Sequence, residues 1–391
     1  MIETDWPDLV ALDADGCLTG KTMDFFHRER LEMCTMSAPS EISHNVWLGP
    51  TPDPTLTSEN GAPVGLGDPR DFDVLVEASD LAQVPDAEAF ALLEDLCDCR
   101  ERGQLAENGI PQLEFPGSGA IMAPTWSQSE VDGLLATCEW IYKQAHPAAP
   151  HSKRRDSKLS LTPSDTDADG DGDGDAAMTG TADTDVAAAG GRKILIHCTD
   201  GYTESSLLAL AYYMYAEHVP VHTAWLQLHL AKRRNFFAYG SDVALLRAVQ
   251  PRLLQSSPKH TGELRDLSPA APGWLEKMDG SLPSRILDYM YLGNLGHANN
   301  PELLRELGIG QILSVGEPVS WDREAEGWPE ENLMLVDRVQ DNGVDPLTGE
   351  FEKCLEFIGK HLPPAPPPPI PALPTPIQAR VLPGRCVRML T

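Results

Sequence analysis

The sequence predicts an α/β protein made of two copies of one domain. Each copy is a central, mostly parallel sheet flanked by helices, and the second copy is incomplete. Three observations carry this expectation. First, Ser40-Glu-Ile42-Ser-His-Asn-Val-Trp47-Leu48-Gly49 returns as Ser284-Arg-Ile286-Leu-Asp-Tyr-Met-Tyr291-Leu292-Gly293, with Ser, Ile, the aromatic, Leu and Gly at identical spacing. Second, an apolar strand pattern and then a helical pattern follow each copy in the same order. Third, stretches without apolar periodicity separate the parts and cannot repay their ordering entropy.

Taken in order, residues 1–39 form an N-terminal extension and 40–255 the first domain. After its opening motif, Phe72-Asp-Val-Leu-Val-Glu77 alternates as a strand, and Ser129 to Gln144 has helical spacing. Residues 146–191 are an acidic insertion around Asp165-Thr-Asp-Ala-Asp-Gly-Asp-Gly-Asp-Gly-Asp175. Lys193 to Ile196 is a short buried strand, and Ser205 to Glu217 an apolar helix. Val221 opens a second helix ending in Lys232-Arg-Arg234, and Leu245 to Leu254 is a third amphipathic segment. Residues 256–281 read as a Ser/Pro/Gly-rich linker. The second domain, 282–362, offers strands at Gln311–Glu317 and Asn332–Asp337 and a helix from Gly349 to Leu362. Residues 363–391 read as a proline-rich disordered tail, open to capture by a domain that binds polyproline II segments.

Composition narrows the function. The chain has 391 residues, with 30 Lys+Arg against 59 Asp+Glu and a formal charge of -29. A field of that sign repels nucleic acid and anionic membranes, so neither is expected as a partner. The longest apolar run, Leu207 to Ala216, is about half of the ~20 residues that a membrane span needs. The N-terminus lacks the basic and apolar regions of a secretory signal. Eight scattered cysteines, without zinc-type pairs, predict reduced thiols and no metal or cofactor. The expected location is the cytoplasm, with the nucleus open through the basic triplets Lys153-Arg-Arg155 and Lys232-Arg-Arg234. Eight aspartates lie between Asp165 and Asp185, so the total charge overstates repulsion elsewhere.

The chemistry gathers at His197-Cys198-Thr199-Asp200-Gly201-Tyr202-Thr203-Glu204-Ser205. Cys198 falls at a strand-to-helix turn, where backbone N–H groups converge and a helix dipole begins. Such a turn binds anions and lowers a thiol's pKa, and a thiolate there attacks a phosphate ester. This stretch resembles the signature His-Cys-x-x-Gly-x-x-Arg-Ser/Thr of the protein tyrosine and dual-specificity phosphatases. His197, Cys198, Gly201 and Ser205 match at the right spacing, and Ile286…Tyr291-Leu292-Gly293 is similar to the opening strand of dual-specificity domains. The resemblance is to tandem phosphatases of the fungal type and covers about 40–255 and 282–362. It implies two phosphatase-type domains, Cys198 as nucleophile, residues 197–205 as the phosphate loop, and a phosphoprotein as substrate or binding partner.

Two departures predict weak or absent turnover. Glu204 stands where the family has the Arg that clamps phosphate oxygens. At ~4 Å and an effective dielectric of about 20, its repulsion of an anion is ~4 kcal/mol. Asp200 adds a second carboxylate. The family's general acid projects onto Pro116 to Thr125, which holds no carboxylate. In the second copy Asp341 matches that acid, with Asp345 as a weaker substitute. No second His-Cys follows it, so this copy is expected to lack its nucleophile, its last core strand and the helices over one face of its sheet.

A binding scaffold without turnover is therefore preferred over an active phosphatase. A third reading rests on Asp13-Ala-Asp15-Gly, which resembles the magnesium site of haloacid dehalogenase-type phosphatases. The run Asp165-x-Asp-x-Asp-Gly170 has Ala176 where a calcium loop needs Glu, and reads as a solvated linker.

Overall fold

The computed structural model describes residues 38–52, 69–105, 109–119, 126–147, 191–262, 267–337, 339, 347–359 and 387–390. The opening repeat motif folds as a hairpin because Asn45 accepts a left-handed conformation (φ 56°) at its turn. The hairpin joins β1 (Ser40–Ser43) and β2 (Val46–Pro50). β3 (Val74–Ser79), β4 (Gln112–Pro116) and β5 (Ile194–Cys198) complete a five-stranded sheet of order β1-β2-β5-β3-β4. All its pairings are parallel except that of the β1–β2 hairpin. β5 is central and buried along its whole length, as its unbroken apolar run requires.

Helices cover this sheet. α1 (Ala87–Glu101) and α2 (Gln128–Ala145) follow β3 and β4. A capping box between Ser127 and Glu130 starts α2, and Leu134, Cys138 and Ile141 on its inner face are fully buried. α3 (Ser206–Glu217) is buried on every side from Ser206 to Ala216, packed by α2, α4 (Val221–Leu230), α5 (Gly240–Gln255) and β1. That burial explains an apolar run with no polar face. Neither α1 nor β4 stands out in the sequence pattern. α1 buries only Leu93 and Cys97, too narrow a stripe to mark a period.

The second part has a five-stranded sheet of order β6-β7-β10-β8-β9. Its strands are β6 (Ser284–Leu287), β7 (Met290–Leu292), β8 (Ile309–Val315), β9 (Leu333–Val336) and β10 (Val387–Leu390). Its helices are the short α6 (Leu295–Ala298) and α7 (Pro301–Glu306), and α8 (Phe351–Gly359). The hairpins of the two sheets share one register: Ser40 faces Leu48 and Glu41 faces Trp47, as Ser284 faces Leu292 and Arg285 faces Tyr291. Each is followed by a bulge.

Two expectations are corrected. The last core strand of the second sheet is present: β10 lies parallel between β7 and β8, the place that β5 holds in the first sheet. The end of the tail is thus strand rather than disordered coil. Two neighbouring strand edges with unpaired N–H and C=O groups are a template that a short apolar segment can complete. The stretch 256–281 is also not a loose linker. Its short 3-10 helix (Gly273–Lys277) buries Trp274 and Leu275 in a core continuous with α3 and α4. Ile286, Leu287, Leu292 and Leu335 of the second sheet remain exposed. No described helix is long and apolar enough to cross a membrane.

Candidate functional site

β5 delivers Cys198 to the C-terminal end of the first sheet's central strand, and the chain then turns through residues 199–205 into α3, whose N-cap is Ser205. Glu204 thus precedes the cap rather than sitting in the first helical turn. Gly201 makes the turn possible. Its φ is +67°, and a Cβ there would lie 2.3 Å from the Gly49 carbonyl carbon. Neighbouring segments tie the loop down: Thr51 N–H donates to the Cys198 carbonyl (2.8 Å), Ser118 N–H to the Glu204 carbonyl (2.8 Å) and Phe237 N–H to the Tyr202 carbonyl (2.9 Å). His197 is buried, shares a hydrogen bond with Thr51 through Nδ1 (3.0 Å), and is pushed down to about 4 by burial, so it is neutral at pH 7.

Cys198 is 1% exposed. Burial, chiefly, pushes its thiol up; a 3.3 Å contact with Ser205 Oγ opposes that, and the Glu204 carboxylate adds to it. The sulfur also lies 3.5 Å from Asp200 Oδ1, which accepts the Tyr202 N–H at 2.8 Å. A loop amide that could hold a phosphate oxygen is therefore already held by a carboxylate of the loop itself. The ligand atoms of Cys198, Asp200 and Glu204 lie within 4.8 Å of one another. Thiolate and carboxylate oxygens are donors suited to a cation such as Zn²⁺, which inverts the usual preference of such a turn. Thr199 is exposed, while Tyr202 lies at the margin of exposure and Thr203 is half-buried with its carbonyl accepting the Ser206 N–H.

Two charged residues near the loop escaped the sequence reading. Arg234, read there as a helix-end cation, lies past the end of α4 at Leu230. Arg233 before it adopts φ 53°, and the chain turns Arg234 inward. Its guanidinium donates to the Gly201 carbonyl (2.5 Å) and the Ala38 carbonyl (2.8 Å). Burial lowers it to about 10, against the charges of Cys198 and Asp200, so it remains a buried cation behind the loop. Asp242, at the start of α5, is 2% exposed and accepts the Gly119 N–H at 3.2 Å. Burial raises it to about 6. The run of three basic residues at Lys232–Arg234 was a signal for the first; a lone helical Asp gave none for the second.

Beyond β4, Ser118 Oγ meets Ser206 Oγ at 2.9 Å and accepts the Leu207 N–H at 2.7 Å, which docks residues 117–119 on the start of α3. A Cβ on Gly117 would lie 2.9 Å from Asp80 Oδ1 and 3.4 Å from Glu204 Cβ, so Asp80 also borders the loop. Asp341, Asp345, Asp13, Asp15 and the acidic run 165–175 lie outside the described residues.

A buried cysteine thus ends a central parallel strand, with a tight glycine turn and an apolar helix after it. No protein-family profile matches the chain. Over 153 residues the chain is 39% identical to the dual specificity protein phosphatase PPS1 of Saccharomyces cerevisiae. The match covers 32% of this chain and 18% of the yeast protein's length. Among solved structures, Tk-PTP in its active form is 17% identical with a TM-score of 0.29, over 56% of this chain and 97% of that one.

Proposed function

We propose that this chain is a dual-specificity-phosphatase-like protein that binds phosphoproteins and turns over phosphate esters weakly or not at all. One observation carries the reading: the Cys198 thiol is buried among carboxylates, with Glu204 where a clamping cation belongs. A buried thiol near negative charge stays protonated, and the thiol is a poor nucleophile. The shared hairpin register and matching strand order of the two sheets support a tandem pair, to which the second copy contributes Asp341 as the matching acid. Cytoplasmic and nuclear phosphoproteins are the partners that this reading implies.

A residual activity is favoured by the Ser205 contact and by Arg234, which both help a thiolate. An aryl phosphate assay separates the two readings. The expected result is turnover near background, with Glu204→Arg raising vanadate affinity. Vanadate-sensitive turnover abolished by Cys198→Ser would establish the active enzyme instead.

A further inference from the structure

A second polar site lies beside the loop. A cavity of about 710 Å³ opens between the residues before β1, the turn after α4, and the β6–β7 hairpin. Tyr202 of the loop lines it on one side. Arg233, Arg234 and Arg285 line it as well, with Asp288 as the one acidic residue among the described lining. In a chain of formal charge -29 this is a local surplus of positive charge, and low-dielectric walls concentrate such a field.

The cavity already holds an anionic group of its own. The Asp288 carboxylate sits 3.1 Å from the Arg285 guanidinium and 3.8 Å from that of Arg233. The Arg233–Asp288 contact is open to water, with the two side chains 71% and 67% exposed, and is therefore weak and displaceable. Neutral donors stand nearby. Asn235 donates to Ser284 Oγ at 2.9 Å, and His229 Nε2, on a residue 6% exposed, has no hydrogen-bond partner among the described residues. Burial pulls His229 down to about 4, so at pH 7 it supplies a dipole and no charge.

We propose that this cavity binds a phosphate monoester, whose phosphoryl oxygens take the Arg285 and Arg233 guanidinium groups in place of Asp288. Two guanidinium groups turned toward the ester, with Arg234 buried behind them, oppose the dianion that a monoester carries at pH 7. The planar fork of Arg is suited to phosphoryl oxygens. The volume exceeds what a lone phosphate ion fills, which leaves room for the carrier group of the ester. The site does not depend on Cys198 chemistry.

Calorimetric titration of the full chain with phenyl phosphate and with inorganic phosphate tests this. Saturable binding is expected, tighter for phenyl phosphate. The double change Arg233→Gln/Arg285→Gln weakens it at least tenfold, and Asp288→Asn tightens it severalfold, a gain that misfolding cannot imitate. Arg233→Gln alone, at an exposed position, gives the same direction if the double variant does not fold. Both responses persist in a Glu204→Gln background. The proposal is overturned if neither probe saturates or if inorganic phosphate binds as tightly. It is equally overturned if the Arg233 and Asp288 changes leave affinity untouched, or if affinity follows Glu204 alone, which places the anion in the loop.

Discussion

Changing Glu204 to Gln removes one charge and keeps the side chain's shape, so its effect on Cys198 is an electrostatic measurement. The ligand atoms of the two residues lie within 4.8 Å. At that separation a thiolate and a carboxylate repel by ~0.9 kcal/mol in bulk water and by ~3.5 kcal/mol at an effective dielectric of about 20. Glu204 is half-buried, which places the pair between these limits. Removing that repulsion favours the thiolate, so Glu204→Gln moves the Cys198 pKa down and speeds its alkylation at a given pH. The measurement is the rate of iodoacetamide alkylation against pH, with the Cys198 peptide quantified by mass spectrometry, because Cys97, Cys99, Cys138 and Cys354 are also free thiols. Cys97 and Cys138 are buried, and burial holds both thiols above the ordinary range, so they react slowly. An unchanged alkylation profile would refute the electrostatic account and leave burial as the sole cause of the raised thiol pKa.

The other predictions concern stability. Gly201→Ala forces a side chain into φ +67° and to 2.3 Å from the Gly49 carbonyl carbon, so urea unfolding is expected to show a loss of at least ~2 kcal/mol; a loss below ~0.5 kcal/mol would mean that the turn is not fixed. Asp242 rises from 3.8 to about 6 on folding, so its proton stabilises the fold at low pH and that stability, about 3 kcal/mol, is lost as pH climbs through 6. His197 and His229 fall from 6.5 to about 4, so each stabilises the fold above pH 6.5 and loses about 3 kcal/mol as pH drops through 4. Asp242→Asn is therefore expected to unfold at higher urea than the parent at pH 7 and to lose stability more steeply between pH 6.5 and 4. A parent–variant difference that is constant with pH would refute the assignment.

Much of the fold is legible because its signals are local. The run Ile194–Ile196 is apolar without alternation, and only a central strand or a buried helix suits that; its shortness and the following Cys-Thr-Asp-Gly turn decide for the strand. The apolar stretch Leu207–Ala216 continues past any strand length and becomes α3. The repeated Ser-x-Ile…Leu-Gly motif fixes both hairpins, since a one-residue slip would turn every inner side chain outward. α1 stayed hidden because it buries one narrow stripe, and the stretch around Trp274 was hidden by the prolines and serines about it.

The site divides in the same way. Its position was set by sequence: Cys198 after a strand, a glycine three residues on, and a helix start, with Glu204 visible as a carboxylate in an anion's place. Its electrostatics were decided by tertiary contacts. Arg234 reaches the loop only because the chain reverses at Arg233, and its target, the Gly201 carbonyl, is distant in sequence. Asp200 accepts the Tyr202 N–H only because the glycine turn aims that amide inward. β10 is a strand only because β7 and β8 leave a gap for it, and no property of Val-Arg-Met-Leu by itself states that. Periodicity and turn chemistry are local and can be read along the chain. The direction of a charged side chain and the pairing of a short strand depend on surfaces that exist only once the chain has folded.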